Sequence, residues 1–228
     1  MTALPAGRGV RVVGDVHGDV RAFAMACETD LFVVQLGDLT DYGRDSAGAL
    51  RLMLRLLDER RGLFLLGNHD HKLARALAGQ DVRIGPELAD TIAQLDPDLK
   101  LAASAALAVA PAWILAGHRL FVHAGFHTEM LAGPASAMPI GHPKGVFARA
   151  LFGEPTGRNL ANGYPERSLR WVDRIPPGLT VYCGHDRRSS DGRPYVRQGS
   201  AGGHAVFLDT GAGKGGHLSW IDLPAEQA

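Results

Sequence analysis

Short apolar runs in this chain stop again and again at the same few polar residues. Val10–Val13 runs into Gly14-Asp15, Leu31–Leu36 into Gly37-Asp38, and Leu63–Leu66 into Gly67-Asn68. Later, Leu120–Val122 meets His123, and Leu179–Cys183 meets Gly184-His185. Runs this short, rich in Val, Leu and Phe, suit buried strands, and a glycine at the end lets the chain turn sharply. Between the early runs lie helical patterns. Asp45 and Ser46 precede a predicted helix whose apolar face holds Leu50, Met53, Leu54 and Leu57. Residues 70–77 and 86–95 also read as helices. This strand–helix alternation predicts a parallel sheet in the first half. In the second half, Trp113–Leu115 and Leu120–Val122 flank Gly117-His118, which signals a hairpin. Ala205–Leu208 and His217–Ile221 read as late strands around a glycine-rich turn. The expected fold class is α/β, a sandwich of two mixed β-sheets flanked by α-helices, with residues 1–228 forming a single domain. The Gly-, Pro- and Ala-rich stretch 133–163 is expected to be the longest loop.

Composition removes several function classes. Lys plus Arg number 24 and Asp plus Glu 24, so no global field draws the chain to nucleic acid or membrane. No extended nucleic-acid binding is expected, and any grip on an anionic substrate must be local. Two cysteines, Cys27 and Cys183, make no disulfide framework. Residues 1–9 lack the basic start and apolar core of a signal peptide. Residues 101–117 are uncharged, but they carry Ser104 and are broken by Pro111, so a buried helix and then a strand are expected rather than a membrane span. A cytoplasmic setting follows as the expectation.

Polar groups at the carboxyl ends of parallel strands converge on one crevice, where open α/β sheets bind ligands. Here they are Asp15, His17, Asp38, Asp41, Asn68, His69, His123 and His185. Carboxylate, imidazole and amide oxygen form a mixed ligand set suited to Mn, Fe or Zn. No thiolate sits among them, which argues against a structural zinc site. A lone Gly-Asp is usually a turn, and a lone buried histidine usually hydrogen-bonds. So many of these motifs, all at strand ends, are hard to obtain from turn chemistry.

Gly14-Asp15-Val16-His17-Gly18, Gly37-Asp38-Leu39-Thr40-Asp41, Gly67-Asn68-His69-Asp70, His123-Ala124-Gly125 and Gly184-His185 resemble the ordered motifs of calcineurin-like metallophosphatases. The Gly-Asn-His and His-Ala-Gly forms are similar to the branch of phosphoprotein phosphatases and symmetrical diadenosine tetraphosphatases. Residues 151–157, 164–167 and 208–211 resemble the phosphatase module of bacterial polynucleotide kinase-phosphatases, and the likeness runs from Val10 to Leu223. The resemblance implies two divalent metal ions, manganese first, with iron or zinc as alternatives. It puts one on Asp15, His17 and Asp38 and the other on Asn68, His123 and His185, with Asp38 bridging. It further implies attack by a metal-bridging hydroxide, with His69 protonating the leaving oxygen and Asp41 orienting His69. The implied function is hydrolysis of a phosphomonoester in the manner of a serine/threonine phosphatase. The alternatives are diadenosine tetraphosphate hydrolysis or removal of a polynucleotide terminal phosphate. Outside both stands a metal-binding module without turnover. The partner is accordingly a phosphorylated substrate, either a phosphoprotein or a nucleotide.

The chain also departs from this pattern. Asp41-Tyr42-Gly43 stands where the family often has Asp-Arg-Gly, so another cation must clamp the phosphate. Arg167 is the first candidate and Arg44 the second. Asp186 replaces the usual Thr after His185, and Arg187, Arg188 and Arg193 form a local basic cluster. Residues 211–216 mimic a phosphate-binding loop, but Gly215 stands where Ser or Thr should follow the lysine, so a tight hairpin is expected there.

Overall fold

A computed structural model describes residues 4–133, 137, 141–161, 163–189 and 191–225. The first half runs β1 (Val10–Val13), α1 (Val20–Cys27), β2 (Phe32–Gln35), α2 (Ser46–Asp58), β3 (Gly62–Phe64), α3 (Asn68–Leu77), α4 (Pro86–Gln94) and α5 (Pro97–Val109). The second runs β4 (Trp113–Ala116), β5 (Arg119–Val122), α6 (Gly145–Phe152), β6 (Pro155–Asn159), β7 (Pro165–Arg167), β8 (Thr180–Cys183), β9 (Tyr195–Gln198), β10 (His204–Phe207) and β11 (Trp220–Leu223). Parallel β1, β2 and β3 form one sheet, with β11 antiparallel on the free side of β1. Parallel β5, β8 and β10 form the other, edged by antiparallel β4 and β9.

Alternation along each strand builds two cores. Val10, Val12, Phe32, Val34 and Leu63 face Phe121, Tyr182 and Val206 of the opposite sheet. Their neighbours Val13, Val33, Phe64, Leu120, Val122, Val181 and Phe207 point outward into a second core that the helices cover. Capping fixes where the helices begin. Asp45 accepts from Gly48 N at 2.6 Å and Asp96 from Leu99 N at 2.8 Å, each satisfying a first-turn donor. Pro86 and Pro97 occupy the first turns of α4 and α5, where a missing N–H costs nothing.

The expected sandwich of mixed sheets is present, and three local expectations change. The helix placed at 70–77 begins at Asn68, because Asp70 sits in its first turn and its carboxylate accepts from Gly67 N at 3.1 Å. The stretch 133–163 is not one long loop. It contains α6, whose Val146, Phe147, Ala150 and Leu151 pack on the outer core, and β6, which pairs with β7 just beyond it. Positions 134–136, 138–140 and 162 lie outside the described residues. Residues 211–216 do not close a hairpin, since β10 lies in the second sheet and β11 in the first. The glycine-rich segment crosses between the sheets. No helix among the described residues is long and apolar enough to cross a membrane.

Candidate metal centre

Three of the motifs, after Gly14, Gly37 and Gly184, carry backbone in an unusual conformation. His17, Asp38, Asp41, Tyr42 and His185 have φ of 44, 59, 71, 65 and 63°. A side chain in this left-handed region costs roughly 1–3 kcal/mol, and such residues persist where the surroundings over-determine them. The strain lets successive residues aim inward from one strand end. Two glycines make room. A Cβ on Gly184 would stand 1.9 Å from Asp15 Oδ1, and one on Gly67 2.2 Å from both Asp38 N and Oδ1.

The inward groups form two clusters that share Asp38. Asp15, His17 and Asp38 make one, and Asp38, His123 and His185 the other, with the ligand atoms of each within 4.8 Å of one another. His17 Nε2 lies 3.8 Å from Asp15 Oδ2 and 3.7 Å from Asp38 Oδ2. Asp38 Oδ2 is also 3.4 Å from His123 Nε2, which lies 3.1 Å from Asn68 Oδ1 and 3.2 Å from His185 Nδ1. The six expected ligands are therefore together at the ends of β1, β2, β3, β5 and β8.

The histidine tautomers are set from behind. His17 Nδ1 donates to Thr40 O and His123 Nδ1 to Leu36 O, both at 2.9 Å, which turns each Nε2 inward. His17 Nε2 is buried, without a hydrogen-bond partner, and faces two carboxylates. Burial lowers its pKa to about 3, so a proton does not fill that gap. Burial also opposes charge on His123, yet Asp38 and Asp15 raise it to about 9. Burial pushes the Asp15 carboxyl well up, and repulsion from Asp209 adds to this. Buried carboxylates with no lysine or arginine ion pair among the described residues are costly unless a cation joins them. The donor set, with the unpartnered Nε2 atoms of His17 and His185, fits divalent metal.

Behind the clusters, His69 Nδ1 donates to Asp41 Oδ2 at 2.6 Å. Thr91 of α4 donates to Asp41 Oδ1 at 2.7 Å, and Asp41 N donates to Ser46 Oγ at 3.0 Å. Burial disfavours a charged His69, but Asp38 and Asp41 outweigh it and raise its pKa. Thr91 and Ser46 were not legible as site residues, because neither stands in a strand-end motif. Asp209 stood in the sequence only within the 208–211 resemblance, without a site role. It is buried at the end of β10 and accepts from Gly211 N at 2.9 Å.

A profile of the calcineurin-like phosphoesterases matches residues 10–186. This chain is a calcineurin-like phosphoesterase. It is 25% identical over 241 residues to the bis(5'-nucleosyl)-tetraphosphatase PrpE [asymmetrical] of Geobacillus thermodenitrificans, covering 94% of this chain and 90% of the relative. It is likewise 25% identical over 237 residues to the Bacillus anthracis protein of that name, covering 93% and 89%. A crystal structure bearing the provisional name diadenosine tetraphosphatase superposes with a TM-score of 0.62 at 23% identity, covering 99% of this chain and 97% of that one. A serine/threonine phosphatase from Saccharomyces cerevisiae superposes at 0.59 with 14% identity, covering 97% and 81%. These likenesses mark the phosphoesterase as a hydrolase of phosphate esters, in a family that uses divalent metals.

The arginines of the phosphoesterase separate clearly. Arg167 on β7 is partly buried. Its Nε donates to Phe152 O at 3.1 Å, and Nη1 lies 3.7 Å from Asp186 Oδ1. It stands close enough that its charge, after burial and His123, helps to lower the His185 pKa. Arg188 pairs with Asp186 at 2.8 Å and donates to Arg167 O at 3.2 Å, so Asp186 gathers both guanidinium groups beside His185. Arg44 is exposed and lines a cavity together with Tyr42. Arg187 lies over Gly211, and Arg193 is exposed, its N–H donating to Asp191. The expected cluster is therefore dispersed.

Proposed function

We propose that this phosphoesterase is a two-metal hydrolase acting on dinucleoside tetraphosphates or closely related nucleotides. The observation that carries the two-metal reading is Asp38, whose carboxylate belongs to both ligand clusters. Asp15, His17 and Asp38 would hold one ion, and Asp38, Asn68, His123 and His185 the other. Bound there, divalent ions would make water nucleophilic at neutral pH and neutralise charge on phosphoryl oxygens.

The chain's own residues do the rest. His69 is held by Asp41 through Nδ1, which leaves Nε2 to give a proton to the departing oxygen. Thr91 and Ser46 hold Asp41 in register for this. Arg167, anchored by the Phe152 carbonyl, meets phosphoryl oxygens from the His185 side. The names of the relatives support a nucleotide substrate at least as well as a phosphomonoester, and Arg167 beside His185 with Arg44 in the neighbouring cavity suits a chain of several phosphates.

The test is a substrate panel of diadenosine tetraphosphate, a phosphopeptide and a 3′-phosphorylated oligonucleotide, each with manganese. Diadenosine tetraphosphate should give the highest kcat/KM, and its products show whether cleavage is symmetrical. Phosphopeptide turnover well above tetraphosphate turnover would return the reading to a protein phosphatase. No turnover of any of the three by metal-loaded protein would leave a metal-binding module.

A further inference from the structure

Next to the metal clusters stands a cation that no strand-end motif supplies. Lys214 Nζ lies 4.5 Å from the centre of the Tyr42 ring. That ring in turn meets His17 and His69 edge-on, at 5.1 and 5.2 Å between centroids. The ammonium is thus stacked one ring away from a metal-cluster histidine and from the proton-donating histidine. Among the described residues Lys214 has no carboxylate within ion-pairing distance, so its charge is available.

An exposed lysine on a glycine turn would ordinarily be a solvated side chain. This turn is built more tightly than that. Gly213 has φ +69°, and a Cβ there would stand 2.3 Å from the His17 carbonyl oxygen, so the segment is pressed onto the backbone of a ligand residue. Lys214 N and Gly216 N both donate to Gly211 O, at 3.0 and 2.8 Å. Thr210 Oγ1 donates to His217 O at 2.7 Å and lies 2.7 Å from Ser219 Oγ, which closes the base of the turn. These bonds fix the Lys214 Cα beside the cluster. A cavity of about 650 Å³ opens on this flank, lined by Gly18, Arg21, Tyr42, Arg44, Gly213 and Gly215. Its walls carry the cations Arg21 and Arg44, backbone, and the carboxylates Asp19 and Asp45, which are turned to the first-turn amides of Ala22 and Gly48, and it has room for more than one phosphate. The field agrees with the geometry, since burial raises the Asp209 carboxyl and Lys214 is the chief influence holding it down.

We propose that Lys214 contacts substrate, its ammonium binding a non-bridging oxygen of the phosphate next to the one cleaved, with the remaining chain lying in the Tyr42–Arg44 cavity. Lys214 is then a specificity residue for polyphosphate over monoester. Tyr42 supports it through its ring face, which attracts the ammonium without neutralising it. This assignment rests on the phosphate-hydrolase reading, and its test is chosen so that the two can fail separately.

Metal-loaded Lys214→Ala and Lys214→Arg would be compared with wild type in two measurements. One is calorimetric binding of a methylene-bridged, non-hydrolysable dinucleoside tetraphosphate and of inorganic phosphate. The other is kcat/KM on diadenosine tetraphosphate and on nitrophenyl phosphate, with metal content and melting temperature checked. Lys214→Ala should weaken analogue binding and lower tetraphosphate kcat/KM by about tenfold or more, the weight of one charge-assisted hydrogen bond. Inorganic phosphate binding and nitrophenyl phosphate turnover should change by less than about threefold, and Lys214→Arg should recover most of the loss. Lys100→Ala, on α5 away from the site, removes the same charge and should change nothing. Unchanged analogue binding, or equal losses for mono- and polyphosphate, would overturn the assignment. If wild type hydrolyses none of these compounds but Lys214→Ala still weakens the analogue, the functional reading falls and Lys214 stands.

Discussion

Asp38 and His69 sit one motif apart and should fail in different ways. Asp38 is asked to face both clusters, and its Oδ1 also accepts from His69 N at 2.9 Å. Asp38→Asn keeps the shape but halves the ligand oxygens and removes a charge. Metal analysis should fall below two ions per chain, and turnover should be lost with it. Two tightly bound ions with near-normal turnover would end the shared-ligand reading. His69→Asn should retain its metals and lose only proton donation, which is worth roughly 10²–10⁴-fold where the leaving oxygen is basic. An alkyl phosphate should feel that full loss, whereas nitrophenyl phosphate and a phosphoanhydride, whose leaving groups need little protonation, should feel much less. A uniform loss across leaving groups would take His69 out of the role. Both residues were legible in the sequence because each directly follows a strand-ending glycine motif. Lys214 was not, because its position depends on how residues 211–216 cross between sheets, which no local pattern encodes.

Among the elements, α3 bears most on the site, since its first turn carries Asn68, His69 and Asp70. Asp70 is fully buried, and its carboxylate accepts from Gly67 N at 3.1 Å, Asp38 N at 2.6 Å and Leu39 N at 3.0 Å. One side chain thus ties the β2 and β3 loops together and holds two ligand residues at their spacing. Asp70→Asn replaces one acceptor oxygen by an N–H₂ that faces backbone donors. An unsatisfied buried donor costs about 1–3 kcal/mol, so the urea midpoint should drop and metal affinity should weaken although no ligand has changed. Unchanged stability together with unchanged metal affinity would show that the knot is not needed. In sequence Asp70 opens the expected helix 70–77, but the reach of its carboxylate across to Asp38 and Leu39 is a tertiary fact. The same limit explains α6. Its apolar spacing at 146, 147, 150 and 151 is short and embedded among Gly and Pro, so composition outweighed periodicity.

In the molecule as a whole, the two sheets each bring half of the site. Asp15, His17, Asp38 and Asn68 follow strands of the first sheet, and His123, His185 and Asp209 those of the second. The sequence carried this plan because parallel strands must all present their carboxyl ends at one edge. Which strand lies beside which is set by non-local pairing, as with β11 joining β1 across most of the chain. A centre built across two sheets couples metal occupancy to the stability of the sandwich. Without metal, Asp15, Asp38 and Asp209 are buried carboxylates that repel one another between the sheets, offset chiefly by the histidines around Asp38. With cations, that repulsion becomes attraction, and ions that bind only the folded chain stabilise it by mass action, about 2.7 kcal/mol at a hundredfold excess over Kd. In a chain of this size each kcal/mol moves Tm by roughly 2–4 °C. Chelation should therefore lower Tm by about 5–10 °C, and adding back manganese should restore it in a concentration-dependent way. Asp38→Asn should show a much smaller difference between chelated and loaded protein, since it has lost the oxygen that both clusters share. The measurement is a thermal scan of both proteins in chelator and in graded manganese. Equal melting of wild type in both states would mean that the inward groups hold no ion tightly, and Asp38 would then have to be explained without metal.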